Sequence, residues 1–540
     1  MCNNTEFPTW EAESIKSILE LEFVELRLLI INDQNKESAS IAFIKKIRQV
    51  FSNKLFWAIY NKIIDGVPDA LKQINLSKQL TGVERINCKI IKKGKFSQYF
   101  SSDSISQIKL YNLDFILRFG FDIIKGEILD VPKYGIWSFH HGNNEKYRGM
   151  PSCFWEIYNN DDITGAILQR ITNTLDNGVV LKKGFFRTNK LSLKANRELV
   201  YTSSSIWASS VCLDIINNKA DYFNHKPKKT SARLYKIPNN KQMIYFFYTL
   251  LKNLLKKIIY RFFISQYWFI GTIDGKISEL FHKSNYHDIT WINNIGNNQF
   301  ADPFIIESKG KSVILCEQID NNDKGVISYL LLNDDGIKIG VSIDKIHHLS
   351  FPYIFFHNGS IYCMPEQYEK NEISIFKAID FPLKWKKVHT ILSNITAVDP
   401  AIIYYNDRWW LFFTLQGDDS NLFIYHSDDL FGQYIVHLCN PVKNDPRSSR
   451  SAGNIYIHKD DLYRPAQTCV KYAGEGIVIN KILDLTTESF SEEIISTIST
   501  NNIDSNIDGV HTISHCNEKI AIDAMIFNYR FSWIKNLNAI

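Results

Sequence analysis

Between residues 134 and 178 the chain sets out side chains that could move protons and hold a charged substrate. The apolar run Tyr134-Gly135-Ile136-Trp137-Ser138-Phe139 ends in His140 and His141. A turn-rich Gly142-Asn143-Asn144 follows, then Lys146-Tyr147-Arg148-Gly149-Met150-Pro151. After a second apolar run comes Leu175-Asp176-Asn177-Gly178, which places Asp176 36 residues beyond His140. A histidine at a strand end can take a proton, and a carboxylate on a Gly-turn loop can orient it. Arg148 is suited to a substrate phosphate or carboxylate, or to bracing its own loop. Taken singly, His140 and Asp176 read equally as a satisfied histidine and a turn-capping acid.

Positioning such residues requires a sheet whose strands end together. Residues 26–32 and 113–121 are apolar runs that read as buried strands, 87–91 is a short strand, and 41–63 has helical spacing. Strands alternating with helices predict a doubly wound parallel sheet, with ligands beyond the carboxyl ends of its strands. His140 falls at such an end.

The order His140, Tyr147-Arg148-Gly149-x-x, Thr164-Gly165 and Leu175-Asp176-x-Gly178 resembles the core of the formyltransferases that use 10-formyltetrahydrofolate. The resemblance implies that His140 is the base or polariser, that Asp176 is its partner and a cofactor contact, and that 10-formyltetrahydrofolate is the donor. It also implies that the loop at Ile128 and Leu129 lines the folate through backbone, and that Arg148 binds substrate. The family's asparagine, which helps hold the oxyanion, is replaced by Ser138. Loss of one such donor typically costs about 10²–10³ in rate; His141 and Asn143 are the candidate substitutes. The family's opening strand precedes the loop that MCNNTEFPTW resembles, so that strand is expected to be absent or to begin further upstream.

A chain of 540 residues with 45% apolar and 22% charged residues is globular and long enough for two or three cores. Its net charge of +5 comes without a dense Lys/Arg stripe, which argues against nucleic acid as partner. The nine cysteines include no Cys-x-x-Cys pair, so no structural zinc is expected. With no signal layout at the start, a cytoplasmic protein is expected, acting on a small-molecule or glycan substrate.

Three domains are read from the texture of the chain: 1–185 formyltransferase-like, 186–265 a helical connector, and 266–540 β-rich. Within the connector, 241–263 is an apolar helix whose Asn253, Lys256, Lys257 and Arg261 recur at helical spacing. Either it is buried between domains or it lies on a membrane surface. From about 266, Phe300-Ala301-Asp302-Pro303, Leu349-Ser350-Phe351-Pro352 and Ala397-Val398-Asp399-Pro400 repeat with prolines 49 and 48 residues apart. Gly453 and the segment 508–511 open the fourth and fifth units. A period near 50 with about four strands per unit predicts a five-bladed β-propeller.

This half resembles the five-bladed propellers of arabinanase- and β-xylosidase-type glycoside hydrolases. Through Arg450-x-Ala452-Gly453, Tyr463-Arg464-Pro465-Ala466-Gln467 and Gly509-Val510-His511-Thr512 it is more similar to the N-terminal domain of plant glucosamine inositolphosphorylceramide transferases. Asp302, Glu317, Glu366 and Asp399 are then candidate acids for glycosidic chemistry, and Arg464, Gln467 and His511, with Tyr463 and Tyr472, candidate sugar contacts. The fusion points to formyl transfer onto an amino group of a surface-glycan or glycolipid sugar precursor. Its rivals are an inactive formyltransferase-like domain in a glycan-binding protein, and a glycosidase or glycosyltransferase acting from the propeller.

Overall fold

The computed structural model describes residues 1–32, 53–94, 97–174, 178–227, 230–281, 286, 288–292, 298–319, 324–333, 336–504 and 506–531. The protein is mostly β, with about 21% helix, and divides into two compact units, Met1–Leu255 and Lys256–Ile540.

In the first unit, strands Leu28–Asn32 and Glu84–Cys88 pair in parallel, as do Ile116–Leu117 and Ile136–His140. Met1 and Cys2 bridge the two pairs. Met1 N donates to Leu117 O at 2.7 Å, and Phe119 N to Met1 O at 2.8 Å. Cys2 N donates to Ile30 O at 3.0 Å and Asn32 N to Cys2 O at 3.1 Å. The ladder position assigned to an absent opening strand is thus filled, over two residues. Beyond Ile136–His140 the sheet departs from the doubly wound expectation. Strand Ile163–Arg170 runs antiparallel to both Ile136–His140 and Val179–Arg187. The sheet is mixed because Ile163–Arg170 runs against both of its neighbours.

Alternation along Ile136–His140 sends Ile136 and Trp137 to opposite faces. Ile136 packs with Leu28, Ile30, Ile105 and Ile108; Trp137 packs with Leu168, Phe186, Val200, Trp207 and Phe246. Both faces are covered, as a largely parallel sheet requires. Helices Leu193–Ser204 and Trp207–Ile216, and the start of Asn240–Phe263, contribute to that second core. Most of the predicted connector lies within the first unit, where its apolar face covers the sheet. The strand predicted over 113–121 shrinks to Ile116–Leu117. The helix predicted over 41–63 is described only from Leu55 on.

The second unit is built on five antiparallel sheets, four of four strands and one of five. In four of them consecutive strands pair in chain order. The fifth joins strand Ile264–Asp274 to the final strand Lys519–Tyr529 over eleven residue pairs. The first strands of the first three sheets touch in turn, Arg450 and Gln467 reach Asp399 between the third and fourth, Gly453 bridges Ile513 between the fourth and fifth, and the fifth touches the first. The sheets thus close a ring, the arrangement of a five-bladed propeller. Asp302, Phe351 and Asp399 each precede a proline at a register shift in a first strand. All three are left-handed, with φ of 52°, 43° and 48°. Such backbone costs about 1–3 kcal/mol per residue and persists only where surrounding bonds impose it.

Candidate functional site

Arg118 and Ser138 meet at the carboxyl ends of two neighbouring strands in the first unit, with His140 two residues further along. Ser138 and His140 share a face of Ile136–His140, being two residues apart. Arg118 follows directly after Ile116–Leu117, and its backbone N donates to Trp137 O at 2.9 Å. Arg118 Nη1 donates to Ser138 Oγ at 2.6 Å, and Nη2 donates to Asp122 O at 2.9 Å and to Phe121 O. Arg118 Nε is buried without a hydrogen-bond partner. Burial pulls the Arg118 pKa down, opposed by the charges of Asp122 and Glu11. Because the guanidinium occupies a lone pair of Oγ, the Ser138 hydroxyl proton is left to donate elsewhere. Its remaining contact, Phe139 O at 3.5 Å, is long.

His140 Nε2 lies 3.0 Å from Tyr147 O. A carbonyl can only accept, so the proton sits on Nε2 and the lone pair on Nδ1. His141, the proposed substitute donor, is buried. Its Nε2 meets Ser204 Oγ at 3.1 Å, and its ring stacks on Tyr201 at 3.8 Å. Burial, with His140 adding to it, pushes its pKa down to about 3. His141 is a neutral core residue, which corrects that expectation. Asn143 spends its Oδ1 on Glu145 N at 3.1 Å.

The other motif residues support the site. A Cβ on Gly165 would lie 2.9 Å from Asn143, so only glycine admits the loop that follows His141. Thr164 bonds Thr188 and Asn196 beneath it. Gly178 lies against Gln169, which pairs with Ser138 across the sheet. Ile128 and Leu129 bury their side chains in the core, so only their backbone is left for a ligand; neighbouring Gly126 N is held by Asn173 Oδ1 at 2.9 Å. Arg148 sits on Tyr147–Gly149, paired with Arg233–Tyr235, and reaches Ala232 O at 3.4 Å. Asp176 lies outside the described residues.

Arg118 is the functional side chain that sequence reasoning missed. Its signal was a lone cation inside the apolar run 113–121, a position that demands a partner. The donor set it forms with Ser138, one orphaned N–H included, fits a carbonyl oxygen that gains negative charge. A cavity of about 650 Å³ in the same unit is lined by Leu28, Leu113, Phe115 and Ile215 among others, and by none of Arg118, Ser138 and His140.

In the second unit the predicted acids lie near the ring axis but are already engaged. Asp523 accepts Asp302 N at 2.9 Å, Asp302 accepts Phe351 N at 3.0 Å, and Glu366 accepts Asp399 N at 2.8 Å. Each carboxylate holds the left-handed residue of an adjoining sheet. Glu317 is buried beside His348 Nε2, at 3.2 Å. Burial, joined by the charges of Asp399, Glu317 and Asp523 against that of His511, pushes Asp302 up to about 7. His511 has Nδ1 2.6 Å from Asp523 and Nε2 3.5 Å from Asp302. Burial would lower its pKa, but the two carboxylates outweigh that and raise it to about 9. Asp302, His511 and Asp523 bring possible metal-ligand atoms within 4.8 Å of one another; a cationic His511 must first lose its proton to ligate. Trp268 stacks on His511 at 4.0 Å.

Two predicted sugar contacts lie inside the fold. Arg464 is fully buried, paired with Glu492 at 2.6 Å and donating to Ser448 O and Ser449 O. Gln467 is equally buried and donates to Asp399 at 2.6 Å and to Ser451 O at 2.9 Å. Both spend their donors inside the fold. Arg450, which reaches Asp399 at 2.6 Å and Asp419 at 3.2 Å, retains some exposure and lies at the same junction.

The two units resemble two classes of transferase. Residues 290–514 match the family model described as "Glucosamine inositolphosphorylceramide transferase 1, N-terminal". Glucosamine inositolphosphorylceramide transferase 1 of Oryza sativa subsp. japonica is 31% identical over 207 residues, 36% of this chain and 28% of that protein. The Arabidopsis thaliana protein of that name is 35% identical over 161 residues, 28% of this chain and 21% of its own. The chain therefore spans less than a third of the length of these curated relatives. The N-terminal region is similar to methionyl-tRNA formyltransferase of Prochlorococcus marinus strain MIT 9515, 30% identical over 130 residues, 23% of this chain and 39% of that protein. Among solved structures, the α-L-arabinofuranosidase PaAbf62A of Podospora anserina covers 43% of this chain and 92% of its own at 11% identity, with a TM-score of 0.34.

Proposed function

We propose that the first unit transfers a formyl group from 10-formyltetrahydrofolate to the amine of an amino sugar, within the synthesis of a glycan or glycolipid. The observation carrying this reading is the contact of Arg118 with Ser138 at adjoining strand ends, with His140 two residues further along, in the region similar to formyltransferases. Bound 10-formyltetrahydrofolate would supply an activated formyl carbon. The backbone at Ile128 and Leu129 would hold it.

The chain's own residues then have distinct tasks. His140 Nδ1 carries the free lone pair, accepts a proton from the attacking amine and returns it to the folate nitrogen as the bond from that nitrogen to the formyl carbon breaks. The Ser138 hydroxyl donates to the carbonyl oxygen as that oxygen gains charge, and Arg118 behind it supplies positive charge in a partly buried setting. Arg148 steers an anionic part of the acceptor. The relatives of the second unit carry glucosamine in their name, an amino sugar whose amine suits formylation. We assign saccharide binding to the axis of that unit, around His511, Trp268 and Arg450.

The test mixes the full chain with 10-formyltetrahydrofolate and a panel of amino sugars, free and nucleotide-linked, and follows tetrahydrofolate release. Release that vanishes in His140→Ala is expected. No release with any acceptor, together with no binding of 5-formyltetrahydrofolate, sinks the proposal in favour of a glycan-binding protein with an inactive fold.

A further inference from the structure

The helix Asn240–Phe263 buries only Met243, Phe246, Thr249 and Asn253. On its far side Ile244, Tyr248, Leu251, Leu255, Ile258 and Phe262 follow one another at spacings of four and three. At roughly 100° per residue these six fall within an arc of about 80°. All are exposed, from 42% at Ile258 to 64% at Phe262. The stripe runs about 27 Å along the helix axis. Contiguous apolar surface of this kind marks a contact rather than a solvated face.

Charge decides what the contact is. The helix contains Lys241, Lys252, Lys256, Lys257 and Arg261 and neither Asp nor Glu. Lys241 and Lys252 border the stripe on one side. A second copy of the chain packed on this face would set cations against cations. A span across a bilayer would bury them. A surface with acyl chains below and anionic headgroups above accommodates both the stripe and its flanks. We propose that this helix lies flat on an anionic membrane surface and holds the protein there.

The experiment is vesicle flotation of the full chain, with phosphatidylcholine alone and with phosphatidylcholine mixed with phosphatidylglycerol. The protein is expected to float with the anionic vesicles, at least about tenfold more than with neutral ones and less in high salt. Leu251→Ser combined with Leu255→Ser should lower flotation by about tenfold while leaving the melting curve in place, since both residues are exposed. No flotation with anionic vesicles, or equal flotation of the variant, overturns the proposal. So does a wild-type dimer in light scattering that the same variant splits, because the stripe would then be covered by a second copy.

Discussion

Arg118 donates to the Ser138 hydroxyl oxygen at 2.6 Å from the end of the neighbouring parallel strand. In the proposed reaction the pair would stand in for one neutral amide donor with a hydroxyl backed by a full positive charge. If formyl transfer runs through it, Arg118→Met lowers the rate of tetrahydrofolate release by about 10²-fold. In a Ser138→Ala background the same change costs little more, since residues acting as a unit do not add. Additive losses in this double-mutant cycle would make Arg118 a brace for the turn at Phe121 and Asp122 instead. Retained binding of 5-formyltetrahydrofolate separates both outcomes from misfolding.

Arg464→Met should destabilise the chain by about 3–5 kcal/mol in chemical denaturation, because Glu492 would be left buried with Lys443 alone at 2.6 Å. Arg464→Lys should recover little of this, since one ammonium cannot reproduce the two-pronged contact of Nε and Nη2 with the carboxylate. A variant that folded normally but lost sugar binding would restore the original assignment of Arg464.

Glu156 is buried in the helix Phe154–Tyr158 with Oε1 unpartnered, and burial pushes its pKa up to about 8 from an ordinary 4.5. The folded state therefore binds this proton more tightly than the unfolded one. Its contribution to stability is greatest below the unfolded pKa and declines as pH rises from 4.5 to about 8. Glu156→Gln should remove that part of the slope and melt higher than the wild type at the alkaline end. Parallel melting curves for the two proteins across the window would refute it.

Gly453→Ala should open the junction between the fourth and fifth sheets. A Cβ there would lie 1.7 Å from Ile513 O, at φ of 139°. We expect a loss of about 2–4 kcal/mol, read as a lower melting temperature, from clash and backbone strain together.

The sequence disclosed what periodicity and punctuation can carry. The Asp-Pro repeat announced the ring, because each repeat must place one strained residue against its neighbour. The histidine at the end of an apolar run announced the strand edge. The antiparallel strand Ile163–Arg170 stayed hidden, because a run buried on both faces looks the same in either direction. The burial of Arg464 and Gln467 stayed hidden for a similar reason: a polar residue bonded inside a fold and one waiting for a sugar have the same letter. Arg118 was legible as an anomaly, but its partner could be found only across the sheet.

Strand Lys519–Tyr529 completes the sheet begun by Ile264–Asp274. During synthesis the second unit cannot close until almost its last residue has left the ribosome. Its four earlier sheets must wait with Ile264–Asp274 unpaired along the Lys519–Tyr529 edge, exposed to pairing with other chains. The order of manufacture therefore leaves that edge open longer than any other in the unit.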